Sequence, residues 1–157
     1  MNYPNYSYIL NQLYLKTNMY IRIKLDDKLQ EIAISLIEKD MWGHLIPTIV
    51  INPLLMPNNK NIQAHILAHE YGHHYYKHIR DCDISKEEYN IRELEADLFA
   101  SNFVYNYSYN LYDIYNFHIN CNTPITKDRL QIITDIINNN KNNNKIDLYN
   151  MYNKTYK

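Results

Sequence analysis

The stretch Asn61–Arg80, NIQAHILAHEYGHHYYKHIR, constrains this chain more than any other. It contains His69-Glu70-Tyr71-Gly72-His73, an H-E-x-x-H pattern. On a helix, side chains four positions apart lie on one face, one turn above the other. The imidazoles of His69 and His73 can therefore converge on one ion, with Glu70 projecting beside it. A zinc ion in a hydrolytic site takes three protein ligands and keeps a fourth position for water. Two imidazoles plus one further group meet that count. The competing reading is a polar surface helix that happens to be rich in histidine, and a second element is needed to decide between them.

That element is Glu93-Leu94-Glu95-Ala96-Asp97-Leu98-Phe99-Ala100. Ser85 is a good N-cap with Glu88 three residues on, a capping-box signature that starts a helix here. Ile91, Leu94, Leu98 and Val104 keep near-helical spacing, which carries the helix to about Asn106. Glu93 and Asp97 share a face with Ala96 and Ala100, and small residues let this helix come close to the His69 helix. Glu93 is then the candidate third ligand. Asp97 is the candidate acceptor for the outer nitrogen of a ligating imidazole, a contact that sets tautomer and ring orientation. Glu95 projects from a different face.

H-E-x-x-H followed by E-x-x-A-D resembles the gluzincin metallopeptidases, and within them the ImmA/IrrE family. Thr48-Ile49-Val50-Ile51-Asn52-Pro53, Ile66 to His74 and Glu93 to Ala100 look like that family's three segments in order. The resemblance implies an α+β, minimal zincin-like metallopeptidase domain: a small sheet with an edge strand packed on an active-site helix, plus further C-terminal helices. It implies one Zn2+ ion held by His69, His73 and Glu93, with Glu70 as general base and Asp97 behind a ligand. It also implies a protein substrate, a helix-turn-helix repressor that binds DNA. Two other readings stay open: a non-cleaving regulatory module that sequesters a repressor, and an unrelated gluzincin with a general substrate.

At 157 residues the chain is expected to form one domain and to bury about 70% of its unfolded surface. We assign 1–137 to the catalytic domain, with 48–104 as its motif-bearing core, and 138–157 to an Asn-rich linker and short tail. A net charge of −1 gives no electrostatic case for direct binding of nucleic acid or an anionic membrane. The two cysteines, Cys82 and Cys121, are too few for a disulfide framework, and either is expected to act as a small apolar residue, with Cys82 a remote candidate ligand. With no apolar run near 18 residues and no leader-like start, a cytoplasmic location is expected. Tyrosine is so abundant, at 17 residues, that no single tyrosine is informative.

Along the chain, Ile9, Leu10, Leu13 and Tyr14 give a short amphipathic helix, and Tyr20–Leu25 alternates as a strand. Lys28–Asp40 reads as the cleanest amphipathic helix, with Leu29, Ile32, Ala33, Leu36 and Ile37 on one stripe. Gly43 ends the following turn and Trp42 covers the core. His44–Asn52 reads as a strand that Pro47 sends to a sheet edge, since proline cannot donate to a ladder. An extended substrate could add beside Ile49-Val50-Ile51. His65, one turn before His69, and His118, in an ambiguous helix over Tyr107–Ile119, are candidates for substrate contact or oxyanion donation, against plain packing roles. His74 and His78 are expected on a face turned away from His69 and His73, reaching solvent. Lys127–Asn138 reads as a helix with Thr126 as N-cap and a stripe of Leu130, Ile133 and Ile137.

Overall fold

In the computed structural model, residues 6–80, 83–121 and 123–139 are described. Helix α1 (Ser7–Thr17) leads into strand β1 (Arg22–Leu25), β2 (Ala33–Lys39) and β3 (Leu45–Ile51). Helices α2 (Lys60–Tyr75), α3 (Lys86–Asn106), α4 (Leu111–Cys121) and α5 (Thr126–Asn139) follow, with a one-turn 3-10 helix at His78–Arg80 between α2 and α3. The architecture is α+β, with a three-stranded sheet of order β1-β3-β2. Strand β1 runs parallel to β3 and β2 antiparallel to it. Cys82 and the expected Asn-rich linker and tail, apart from residues 138 and 139 at the end of α5, lie outside the described residues. Among the described residues, no helix is long and apolar enough to cross a membrane.

The expected helix over Lys28–Asp40 is instead a turn followed by strand β2. A short apolar run fits helix and strand spacing alike, and the partners available decide. Here Asn52 Nδ2 donates to the carbonyls of Asp27 and Leu29, and the Asn52 backbone N–H donates to Ile32 O. Carbonyls that an α-helix would use are thus held by the end of β3. At the other end, Asp40 closes a hairpin: its side chain accepts from the N–H groups of Trp42 and His44. Gly43 supplies the positive φ of 85° that the turn needs. Trp42, at the tip, is 75% exposed and covers nothing.

Strand β3 is the central strand, not an edge. Ile49, Val50 and Ile51 are buried between both neighbours. Pro47 is tolerated because β1 begins at Arg22, opposite Thr48, so at Pro47 only β2 lies alongside, paired through Ile37. The edge strand that packs on α2 is β2.

Asn59 caps α2, its side chain accepting from the N–H groups of Asn61 and Ile62. The helix ends at Tyr75, earlier than expected. The N–H groups of Tyr76 and Lys77 close on the carbonyls of Gly72 and His74, and Lys77 takes a φ of 63°. The chain therefore turns back and returns His78 to the protein. Ser85 caps α3 as expected, accepting from Glu88 N–H.

The core is one continuous cluster. Leu67 and Tyr71 of α2 meet Leu94, Phe103 and Val104 of α3, Ile114 of α4, and Ile49 and Ile51 of β3. Helix α5 docks with Ile132, Ile133 and Ile136 rather than with the expected stripe of Leu130, Ile133 and Ile137. Both stripes have helical spacing, and packing against α3 and α4 selects the first. Burying these three isoleucines contributes roughly 1.5–3 kcal/mol apiece, enough to hold the helix down.

The tightest approach is between α2 and α3. A Cβ placed on Gly72 would lie 3.2 Å from Ala96 Cα and 3.3 Å from Phe99 Cβ. Much of this obstruction is backbone, which cannot swing aside. Gly72→Leu should therefore cost about 1–3 kcal/mol by overpacking. Gly72→Ala should cost less, because the gain in helix propensity of about 1 kcal/mol offsets the squeeze. Urea denaturation measures both, and a Gly72→Leu protein as stable as wild type would show that the helices are free to separate.

Candidate metal centre

Because α2 and α3 approach so closely at Gly72 and Ala96, His69 and His73 of α2 face Glu93 of α3. His69 Nε2 lies 3.1 Å from His73 Nε2. Glu93 places Oε2 3.5 Å from His69 Nε2 and Oε1 3.4 Å from His73 Nε2. Two ligands bonded to a tetrahedral zinc at about 2.0–2.1 Å stand roughly 3.3–3.4 Å from each other. The three side chains are spaced as such a donor set requires, and His, His and Glu is a set that suits zinc.

The outer nitrogens support the same arrangement. His69 Nδ1 is 2.8 Å from Asp97 Oδ1, which can only accept, so His69 donates there. His73 Nδ1 is 3.0 Å from His78 Nδ1, and His78 Nε2 is 3.0 Å from Glu95 Oε2. If His78 donates to Glu95, its Nδ1 accepts from His73. Both imidazoles then carry their proton on Nδ1 and turn a free Nε2 lone pair to the shared volume.

Burial alone would push the His69 imidazole down, but the carboxylates of Asp97 and Glu93 outweigh it and raise it to about 10. Burial likewise opposes ionisation of Glu93 and Asp97. His69 and His73 nevertheless hold Glu93 well below the usual carboxylate range, and His69 with Arg129 does the same for Asp97. The pocket thus favours a positive charge at its centre. A proton on His69 supplies it without a metal, and a divalent ion would compete with that proton.

A cleft of about 440 Å3 opens over these groups, bounded by β2, α2 and the first turns of α3. His69, Glu70, His73 and Glu93 line it, together with His78 and Tyr89. Glu70 is held from the far wall by Ser35 of β2, whose Oγ lies 2.7 Å from Glu70 Oε2 and 2.8 Å from Glu70 O. Ser35 carries no signal in the sequence, because it reaches Glu70 only when its segment is a strand and not the expected helix.

His78 was expected to face away and instead lies beneath His73. Burial pushes its imidazole down to about 4, helped by the neighbouring His73 and Arg92. His74 was also expected at the surface. It is buried, and its Nε2 donates to Thr48 O at 3.0 Å, tying α2 to β3.

His65 and His118 do not line the cleft. Both are buried on the inner side of Asp97, with ring centroids 5.0 Å apart in an edge-on contact. His65 Nε2 lies 3.3 Å from Ser101 Oγ. His65, Asp97 and His118 are close enough to form a second potential ligand group. Asp97, however, is already engaged by His69 and faces the Arg129 guanidinium.

Neither ring nitrogen of His118 has a hydrogen-bond partner, and burial pushes the group down to about 4. Asp97 opposes this shift, and the Arg129 charge adds to it. An unfolded histidine takes a proton near pH 6.5, whereas His118 in the fold resists until about 4. The fold therefore loses stability through His118 as pH falls from about 6.5 to 4, and above that window His118 has no effect on the slope. His118→Leu should leave stability at pH 7 unchanged or higher, and should flatten the decline below pH 6.5. Urea midpoints of the metal-free proteins from pH 7.5 to 4.5 measure this, and parallel profiles would sink it.

The family model of the IrrE N-terminal-like domain, Peptidase_M78, matches residues 23–118, more than half of the chain. A search of the curated proteins and of the solved structures found no match. The matched segment runs from β1 to α4 and includes the cleft, all three convergent side chains, Glu70 and Asp97. The chain belongs to the IrrE N-terminal-like family of peptidases.

Proposed function

We propose that this protein is a zinc-dependent endopeptidase that cleaves a DNA-binding repressor of the helix-turn-helix type. The observation that carries the reading is the convergence of His69 Nε2, His73 Nε2 and the Glu93 carboxylate within 3.1–3.5 Å of one another, on a cleft that Glu70 also lines. When bound, the ion supplies an acidified water, lowering its pKa from 15.7 toward about 7, and polarises the scissile carbonyl.

The chain's own residues do the rest. Glu70 accepts a proton from the attacking water and returns it to the leaving amine. Ser35 holds the Glu70 carboxylate in place through its 2.7 Å contact. Asp97 and His78 keep the two imidazoles in one tautomer and one orientation. The free edge of β2 runs along the cleft and offers an extended peptide a strand to pair with, next to Glu70. On this reading the strand addition falls on β2 rather than on Ile49-Val50-Ile51, which lie in the central strand.

The repressor target follows from the resemblance of the three motif segments to ImmA/IrrE peptidases, and the cytoplasm is where such a target would be met. A net charge of −1 agrees with a protein substrate rather than nucleic acid. The presence of Glu70 in the cleft favours cleavage over mere sequestration.

Glu70→Gln should keep one metal ion per chain and lose nearly all turnover, and full activity in that variant would remove Glu70 from the mechanism. Glu93→Gln should strip the metal while Glu95→Gln keeps it, as read by metal analysis of the purified proteins. The reverse result would relocate the third ligand. Ser35→Ala should lower kcat by roughly tenfold, the value of one lost hydrogen bond to a charged group. Co-expression with a helix-turn-helix repressor encoded beside this protein tests the substrate. Fragments of the repressor support the proposal, and a stable uncut complex supports a sequestering module instead.

A further inference from the structure

We infer that Arg129 of α5 is a positioning residue for the metal centre, holding Glu93 and Asp97 together so that ligand and ligand-orienting carboxylate keep their geometry. This rests on the proposed metal site. Arg129 lies outside the segment that the family model matches, which ends at residue 118.

Glu93 and Asp97 are one turn apart on α3, and both are largely buried. Two carboxylates at that spacing repel each other, and burial strengthens the repulsion. Arg129 reaches between them. Its Nη2 donates to Glu93 Oε2 at 3.0 Å. Its Nε stands 2.8 Å from Asp97 Oδ2 as an ion pair rather than an aligned hydrogen bond. The Arg129 side chain is only 14% exposed, so solvent does little to screen these contacts.

Each contact acts on a different part of the centre. At Glu93, Arg129 occupies one side of Oε2 and so fixes the rotation of the carboxylate that faces both imidazoles. At Asp97, it holds Oδ2 while Oδ1 takes the His69 proton. An imidazole bound to a metal is neutral, so the fixed positive charge opposite Asp97 comes from Arg129. Lysine would not reproduce this, because a single ammonium cannot present two separated donors in a planar fork.

The residue is also anomalous in its own helix. Ile132, Ile133 and Ile136 form the buried apolar stripe of α5, Ile125 is buried just before the helix starts, and Arg129 falls between them beside buried Asp128. An arginine there is expected only where it has charge to meet. Helix α5 therefore does more than cover α3: it delivers a cation to the back of the centre.

The test uses the full chain loaded with Co2+, whose visible spectrum reports ligand geometry, alongside competition with a chromogenic chelator. Arg129→Gln should weaken metal retention by about 10–100-fold and shift the cobalt bands. Arg129→Lys should fall between it and wild type in both readouts. If Arg129→Gln fails to fold, Arg129→Lys decides. Wild-type affinity and an unshifted spectrum in Arg129→Lys, with or without a lower melting temperature, would overturn the inference and leave the metal site standing. A wild-type chain that takes up no cobalt or zinc would overturn the metal-site proposal and this inference with it.

Discussion

Everything at the candidate centre depends on how closely two helices pass. Gly72 of α2 faces Ala96 of α3 with no room for a methyl group to spare. At that separation the side chains one turn away on each helix meet across the gap. The glycine of the motif is therefore a spacer, and the apolar packing of Leu67, Tyr71, Leu94 and Phe103 presses the two helices together around it.

Close approach has an electrostatic consequence. Glu93 and Asp97 are withdrawn from water among five histidines, with His69, His73 and His78 on the cleft side and His65 and His118 behind Asp97. Burying a charge is tolerable only where an opposite charge is near. The fold meets this with two lines of contacts leading outward from the centre. One runs from His69 to Asp97 and Arg129, and the other from His73 to His78 and Glu95. The first ends on a buried guanidinium supplied by α5. The second ends on a carboxylate closer to solvent. The two imidazoles are thus oriented by different chemistry, one by a fixed ion pair and the other by a neutral ring.

Local signals were enough for the motif-bearing helices. The H-E-x-x-H spacing, the Ser85 cap and the small-residue face of α3 each rest on contacts within one or two turns, and these appear in the fold. Misreadings arose where long-range partners decide. Ala33–Lys39 has apolar residues at helical spacing, yet Asn52 captures the carbonyls of the preceding turn and Asp40 with Gly43 closes a hairpin. The strand expected at an edge from Pro47 is central, flanked by β1 and β2, and it tolerates the proline because β1 is too short to reach that residue. Ser35 became legible only with β2 in place. Arg129 carries a signal, an arginine among buried isoleucines, but that signal is legible only once docking selects Ile132, Ile133 and Ile136 as the buried stripe.

The amino-acid order by itself determined which groups could share one helical face: His69 with His73, and Glu93 with Asp97. Helix periodicity is a local property, and four-residue spacing needs no knowledge of the rest of the chain. Tertiary structure alone decided which strand borders the cleft, which histidine backs His73 and which cation stands behind Asp97. Those choices join residues from separate elements, such as Ser35 with Glu70 and Arg129 with Glu93. Such pairs form because burying the apolar faces leaves each helix and strand one way to dock, and that docking sets the polar partners.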